Sequence, residues 1–275
     1  MLRKSLLCCL ILAFCFCLPA AVFCADSPRS DAPALTAEQI VAKNVEARGG
    51  LKAWREIQSM TMTGKMDAGG KNNVQLPFVM KLKRPRMSRL EIQFAGKTAL
   101  QVFDGSNGWK VRPFLNRLEI EPYTEAEMQS AAEQQELDGY LIDHEAKGTK
   151  VELVGVEPVE GHDAYKLKLT MKNSHVRSIW VDAQSFLEVK VDDSIRVLNG
   201  RPHMVQTYFR NYQLISGLKI PFVLETAVEK VKPSRKITIE TVTLNPPLEQ
   251  SAFARPDIPG AVVVGTAAAQ AQPKN

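Results

Sequence analysis

The fold is decided by the segment VQLPFVMKLK, residues 74–83. In an extended chain, successive side chains point to opposite sides. One side of this segment is apolar, with Val74, Leu76, Phe78, Met80 and Leu82, and the other carries Gln75, Lys81 and Lys83 with Pro77 and Val79 among them. Alternation of this kind predicts a β-strand that buries one side and exposes the other.

The same alternation recurs along most of the chain. It predicts further strands at residues 59–66, 88–94, 98–103, 109–113, 117–123, 151–156, 165–171, 175–182, 186–192, 204–212, 220–227 and 235–244. Turn-forming clusters rich in Gly, Asn and Asp separate them. About eleven to thirteen consecutive antiparallel strands are too many for a flat open sheet. We therefore predict a mainly β fold that curls into a barrel or half-barrel, or splits into two layers.

Two helices are predicted beside these strands. Thr36 can cap an N-terminal helix, with Gln39 in the capping-box position and Gly49-Gly50 as the stop signal. A mid-chain helix begins at Thr124 and extends to about Leu137. Its few apolar residues are chiefly Met128, Ala131, Ala132 and Leu137. A helix this polar covers a surface better than it fills a core, so we interpret it as a lid.

All five cysteines lie within the first 24 residues. The basic pair Arg3-Lys4 and the apolar residues 6–23 that follow predict a secretory signal peptide over residues 1–24. The apolar stretch is also long enough to act as an uncleaved membrane anchor. Acylation of Cys24, as in a bacterial lipoprotein, is a further alternative, although Phe23 is a poor fit to the small residue that such a site needs.

Cleavage would leave an exported chain without disulfides, which has to fold by packing alone. Residues 25–34 are expected to be a disordered leader, residues 35–255 one domain with a large core, and residues 256–275 a disordered tail. The formal net charge falls from +5 to +3 once Arg3 and Lys4 are removed. Basic residues are interspersed with acidic ones along the strands, so no nucleic-acid partner is expected.

The sequence shows no catalytic or metal-binding motif. It has neither a His-Glu-x-x-His spacing nor a Gly-x-Ser-x-Gly elbow. Its scattered histidines are His144, His162, His175 and His203. The cluster at residues 104–108 needs its Asp, Asn and Gly for turn geometry rather than for calcium. Asp192-Asp193 could flank an active site, although a carboxylate pair at the end of a strand is more often solvated. We therefore predict no enzyme activity, no cofactor and no metal.

Four segments, taken in order, resemble a known superfamily. They are KNVEARGGLKAWREIQSMTMTGKM (43–66), VELVGVEPVEGHDAYKLKLT (151–170), SIWVDAQSFLEVKVDD (178–193) and YFRNYQLISGLKIPF (208–222). Together they are similar to outer-membrane lipoprotein-sorting proteins of the LolA/LolB-like superfamily. The resemblance implies an incomplete antiparallel β-barrel that is closed by helices and holds acyl chains on its apolar concave side. It also implies transport of lipoproteins across the periplasm or their acceptance at the outer membrane.

The apolar face of the predicted sheet supplies candidates for a lipid site. The candidate lipid-binding residues are Met60, Met62, Leu76, Phe78, Met80, Leu90, Ile92 and Phe94, with Trp109 at the mouth and Met128 on the lid. Methionine suits an adaptable apolar wall because it is flexible and polarisable. For docking to anionic headgroups or an acidic partner, the candidates are Arg84, Arg86 and Arg89, which cluster around Pro85.

We therefore predict a periplasmic, monomeric carrier or chaperone that binds lipoprotein acyl chains or free lipid and works with an inner- or outer-membrane partner protein. Three alternatives stay open: an exported sensor of mislocalised lipoproteins, an outer-membrane acceptor with an acylated Cys24, and a structural β-domain with a filled core. The interior volume distinguishes the last from a carrier, because ligand sites enclose at least a few hundred Å³.

Overall fold

The computed structural model describes residues 35–69, 74–113, 118–134, 137–198, 201–228 and 231–265. The predicted signal peptide and leader, including Cys24, and the last ten residues of the predicted tail lie outside this part of the chain. In the segments that are described, no helix has the length and apolar character needed to cross a membrane.

Three α-helices and fourteen strands make up the described chain. The helices are α1 (Ala37–Ala47), α2 (Leu51–Glu56) and α3 (Glu125–Gln134), and a 3-10 helix spans Gln250–Phe253. The strands are β1 (Ser59–Asp67), β2 (Gln75–Lys83), β3 (Met87–Phe94), β4 (Lys97–Phe103), β5 (Gly108–Val111), β6 (Glu119–Pro122), β7 (Lys150–Val159), β8 (His162–Thr170), β9 (Val176–Asp182), β10 (Glu188–Leu198), β11 (Arg201–Ile215), β12 (Leu218–Val228), β13 (Val231–Leu244) and β14 (Val262–Val263).

All fourteen strands belong to one sheet, in the order β14-β6-β5-β4-β3-β2-β1-β13-β12-β11-β10-β9-β8-β7. Neighbouring strands are antiparallel, except that β14 runs parallel to β6. The first and last long strands, β1 and β13, pair with each other and join the two halves of the sheet. Because β14 and β7 are its two edges, the sheet is not closed into a barrel. The predicted incomplete antiparallel barrel is therefore confirmed.

Each predicted strand overlaps an observed one, but β14 was not predicted. It lies in the segment for which the sequence analysis expected no structure, at Val262–Val263. Its pairing follows from docking of the C-terminal segment, because Ile258 and Ala261 pack against a buried cluster on β4, β5 and β6. Two paired residues carry no periodicity of their own, so the sequence pattern could not indicate this strand.

Helices α1 and α2 cover one side of the sheet, which we call the inner face. Buried residues of α1, including Ile40 and Val41, pack against Leu167 and Val191 of this face. Trp54 of α2 packs in a second cluster that contains strand residues from β1, β2, β12 and β13. Burial of these apolar side chains is the main stabilising term for the described part of the chain, which contains no cysteine.

Both predicted helix starts are confirmed by their hydrogen bonds. The Thr36 hydroxyl accepts from the Gln39 N–H, and the Gln39 side chain accepts from the Thr36 N–H at 2.9 Å. Thr124 and Glu127 make the same reciprocal arrangement at α3. Each capping box satisfies two N–H groups that the helix leaves unpaired, so the local sequence is sufficient to set these boundaries.

The outer face of the sheet carries a half-buried carboxyl group on β10. Partial burial raises the pKa of Asp192 above its ordinary value, although a hydrogen bond from Gln206 Nε2 at 3.0 Å and the charge of Lys190 act in the opposite direction. A raised pKa means that ionisation is less favourable in the folded chain than in the unfolded chain.

Asp192→Asn should therefore raise the free energy of unfolding at neutral pH. The amide oxygen can still accept from Gln206, while the cost of a partly buried charge disappears. The advantage should vanish below the ordinary aspartate pKa, where both states are protonated, grow between that pKa and the raised folded-state pKa, and stay constant at higher pH. Urea unfolding of the unmodified protein and the variant, from below the ordinary aspartate pKa to neutral pH, measures this difference in the free energy of unfolding. A constant difference at every pH would contradict the assignment.

Candidate functional site

A cavity of about 390 Å³ lies on the inner face of the sheet, beneath the helical segments. Its apolar lining residues are Trp54, Met60, Met62, Met66, Phe78, Met80, Leu82, Leu90, Leu137, Tyr140, Ile179, Val191, Phe209, Ile220, Pro221, Leu224, Ile237 and Ile239. Arg48, Glu188, Thr207 and Gly139 add polar groups to this lining. A predominantly apolar wall with a few polar groups is typical of sites that bind small apolar molecules.

Strand register explains how the methionine wall forms. Met62 of β1 lies opposite Met80 of β2, and Met80 lies opposite Leu90 of β3. Side chains at directly paired positions share a face and are close enough to contact one another. Four methionines line the cavity, namely Met60, Met62, Met66 and Met80. Their flexible side chains can repack around an occupant.

One part of the cavity wall carries a buried ion pair. Nη1 of Arg48 lies 3.3 Å from Oε2 of Glu188, and the two residues are 4% and 6% exposed. Arg48 Nη1 also donates to the backbone carbonyl of Asp138 at 2.8 Å. The Tyr212 hydroxyl donates to the backbone carbonyl of Glu188 at 2.9 Å. Burial, reinforced by the nearby Glu188 charge, raises the pKa of Tyr212 well above its ordinary value, so this hydroxyl stays a neutral donor.

The end of α1 holds Arg48 in place. The backbone carbonyl of Arg48 accepts hydrogen bonds from Trp54 Nε1 and from the Lys219 N–H, each at 3.1 Å. Its guanidinium carbon lies 4.5 Å from the centre of the Trp54 ring, a stacking geometry that favours arginine. The chain then turns at Gly49, whose φ of 111° favours glycine. These contacts fix the side chain in the wall before any ligand arrives.

A second network of charges lies beside the ion pair, around Asp138. This carboxylate is 1% exposed and bonds to Arg84 Nη2 at 2.6 Å and to Lys147 Nζ at 2.5 Å. Arg84 also donates to the carbonyls of Ile57 and Trp54, at 2.9 and 3.3 Å. Arg84 therefore ties the start of β1 and the end of α2 to the segment that follows α3.

A smaller cavity of about 320 Å³ lies towards β4 and β5. It is lined by Ala68, Leu76, Ile92, Phe94, Ala99, Leu100, Gln101, Val111 and Arg112. Phe94 is 44% exposed, so part of this apolar surface faces solvent.

The structure divides the ten candidate lipid-binding residues into three groups. Met60, Met62, Phe78, Met80 and Leu90 line the larger cavity, and Leu76, Ile92 and Phe94 line the smaller one. Trp109 and Met128, which the sequence analysis placed at the mouth and on the lid, line neither cavity.

The physical reasons for these two differences are local. Trp109 packs with Leu100, Val111 and Ile120. Alternation along β5 therefore puts Lys110 on the opposite side, where its Nζ bonds Glu127 of α3 at 2.6 Å. That ion pair holds α3 beside β5. The larger cavity is instead bordered by residues 137–140, which begin with Leu137, the last residue of the predicted lid, together with Arg48 and Trp54.

Arg48 and Glu188 are the charged site residues that sequence reasoning missed, and the cavity-lining residues of β9–β13 were missed with them. Arg48 occupies the end of a helix and Glu188 the start of a strand, where charged residues are usually solvated. Their separation of 140 residues leaves no local pattern to link them. The pairing of β10 with β9 is also irregular between Glu188 and Lys190. This irregularity breaks the period-two alternation that was used to predict which face of the sheet each side chain occupies.

The three arginines predicted to dock a membrane or partner differ in their surroundings. Arg84 belongs to the Asp138 network, and Arg89 Nε donates to Glu91 at 2.7 Å. Arg86 is exposed. A docking role for the three stays a prediction.

The turn at residues 104–108 is organised by its own hydrogen bonds. Oδ1 of Asp104 accepts from the N–H groups of Ser106 and Asn107, at 2.8 and 2.6 Å. These bonds lower the pKa of Asp104, although its partial burial acts against them. Within the described ranges, no group of three or more His, Cys, Asp or Glu residues is placed to hold a metal ion.

No protein-family model matches the sequence, and a search of curated proteins finds no match. Solved structures do show a similar fold. A LolA superfamily protein from Nitrosomonas europaea is 17% identical, with a TM-score of 0.52 over 80% of this chain and 98% of its own. A DUF1329 family protein from Desulfovibrio piger is 16% identical, with a TM-score of 0.52 over 79% of this chain and 97% of its own.

A third similar structure is a domain assigned to outer-membrane lipoprotein sorting in Vibrio parahaemolyticus. It is 15% identical, with a TM-score of 0.51 over 78% of this chain and 94% of its own. At identities this low, the structural similarity establishes a shared fold and nothing more. The ligand has to be inferred from the chemistry of the site. The resemblance found in the sequence is thus confirmed at the level of the fold.

Proposed function

We propose that this chain is a periplasmic carrier that holds the acyl chains of lipoproteins, or other lipids, in the larger cavity. The observation that carries the proposal is an apolar space of about 390 Å³ on the inner face of an open sheet. This volume lies within the range of about 300–1,000 Å³ usual for ligand sites. It argues against a structural domain with a filled core.

The proposal accounts for the chemistry of the wall. Transfer of an acyl chain from water gains about 0.8 kcal/mol per CH₂ group, without any directional contact. A carrier has to release its cargo, and flexible methionine contacts suit reversible binding better than a rigid set of hydrogen bonds does. The similar solved structures include a lipoprotein-sorting domain, which supports acyl chains as the cargo. An inner- or outer-membrane protein that loads or receives this cargo is the expected partner.

Met62→Trp tests the site by filling the space. Met62 lines the cavity, so the larger indole should exclude part of a bound chain. Displacing two CH₂ groups would remove about 1.6 kcal/mol, which corresponds to roughly a tenfold or greater loss of affinity. Displacement of an apolar fluorescent probe by a long-chain lipid measures the change.

The matched control is Met204→Trp. Met204 lies on β11, and alternation places it on the face opposite to the cavity-lining Thr207 and Phe209. It should leave affinity unchanged, and urea unfolding shows whether either variant perturbs the fold. Absence of saturable binding by the unmodified protein at micromolar lipid, or an equal loss in both variants, would count against a carrier.

A further inference from the structure

The buried ion pair in the wall of the larger cavity has hydrogen-bonding capacity left over. Nη1 of Arg48 donates to Asp138 and Glu188, whereas Nε is buried and has no hydrogen-bond partner among the described residues. An arginine side chain carries five N–H donors, and a buried donor without an acceptor is costly. A small movement of the side chain towards the cavity would let an acceptor on a ligand complete this set.

The pair is also balanced in charge. Glu188 compensates Arg48, and the neutral Tyr212 hydroxyl approaches the carboxylate at 3.5 Å. The adjacent Asp138 network has an excess positive charge, but it sits on Arg84 and Lys147, whose side chains reach solvent and do not line the cavity. A ligand that enters the cavity therefore meets the N–H donors of Arg48, whose positive charge is compensated by Glu188.

We propose that Arg48 and Glu188 select neutral, ester-linked acyl chains over the corresponding free fatty acids. This inference rests on the proposed function and specifies its cargo. An ester carbonyl can accept a hydrogen bond from Arg48 without adding charge to the cavity. A free carboxylate would place a second negative charge next to Glu188 in a largely apolar space, where an uncompensated charge is unfavourable.

The test compares a fluorescent long-chain fatty acid with its methyl ester, at a pH where the acid is ionised. The unmodified protein should bind the ester roughly tenfold more tightly, or better. Glu188→Gln removes the compensating charge while keeping the size of the side chain, so Arg48 becomes an unbalanced cation. This variant should reverse the preference and favour the acid.

Asp192→Asn is the matched control. It makes the same carboxylate-to-amide change on the outer face of β10, where it should leave the ester-to-acid ratio unchanged. An apolar fluorescent probe without acceptor groups should bind all three proteins alike. That readout separates loss of the cavity from loss of selectivity.

The outcomes distinguish this inference from the proposed function. If the apolar probe binds but the unmodified protein treats acid and ester equally, or favours the acid, the selectivity is refuted and a carrier survives. If Glu188→Gln folds and binds the probe with an unchanged ratio, selectivity does not come from this pair. If no probe or lipid binds the unmodified protein, both proposals fall. Should Glu188→Gln fail to fold, the ratio for the unmodified protein decides alone.

Discussion

Arg48→Met should lower the free energy of unfolding by about 3–5 kcal/mol, because it leaves the buried carboxylate of Glu188 without its partner. Glu188 is 6% exposed, so water cannot readily replace the lost guanidinium. The carbonyl of Asp138 loses a hydrogen bond at 2.8 Å as well. Chemical denaturation in urea measures the change.

The double variant Arg48→Met/Glu188→Leu separates the ion pair from simple packing. Replacing both partners removes the uncompensated charge, and apolar substitutes for buried ion pairs are often neutral or stabilising. The double variant should therefore be more stable than Arg48→Met alone. If it were less stable than the single variant by the full cost of a second core substitution, the two side chains would be contributing independently.

Gly49→Ala should destabilise the fold by roughly 3–5 kcal/mol, since it combines two effects. The residue has a φ of 111°, which is unfavourable for alanine. A Cβ atom there would lie 2.4 Å from the carbonyl oxygen of Gly217 and 2.9 Å from Cδ2 of Leu218. The backbone on one side or the other has to move, and the carbonyl of Arg48 bonds to Lys219 at the same place.

Gly50→Ala is a control that keeps the first effect, the unfavourable φ, and lacks the second, the close approach of a Cβ atom to the Gly217 backbone. Gly50 also has a positive φ, of 91°, but a Cβ atom there would meet nothing within 4 Å. Its replacement should cost only the conformational strain, about 1–3 kcal/mol. Thermal and urea unfolding of the two variants give the comparison. Equal destabilisation would show that the approach to Gly217 does not constrain the chain. Gly49→Ala should also weaken lipid binding, because a shift of the backbone at residue 49 would move the neighbouring Arg48 in the cavity wall.

The predicted strands and helix starts were confirmed where the pattern was local. The alternation along residues 74–83 predicted that Phe78 and Met80 share a face, and both line the larger cavity. Thr36 and Thr124 marked helix starts because a capping box needs only four consecutive residues. Trp109 was assigned to the cavity from its place after a turn. A turn does not specify which face the next residue takes, and register puts Trp109 with Val111 instead.

The C-terminal segment shows the limit of local patterns most clearly. Phe253 is fully buried, and Arg89 of β3 donates to the carbonyl of Ala252 at 3.3 Å. The sequence analysis placed Ala252 and Phe253 inside the predicted domain (35–255), but no periodic pattern there indicates which strands they contact. Further along the chain, Ile258 and Ala261 pack against Leu100 and Ile120, a contact that forms only once the sheet is complete.

The amino-acid sequence by itself determined a mainly antiparallel β fold with one apolar face and capped helices, because side-chain alternation and capping act between residues close in the chain. Alternation left a barrel, a half-barrel and a two-layered sheet open, and only the family resemblance implied the incomplete barrel. Tertiary structure alone decided that this face encloses a space, that residues 137–140 border it, and that Arg48 meets Glu188 in its wall. It also decided that Gly49, unlike Gly50, has no room for a Cβ atom. These features arise where segments far apart in the chain come into contact, and no pattern among neighbouring residues specifies such contacts.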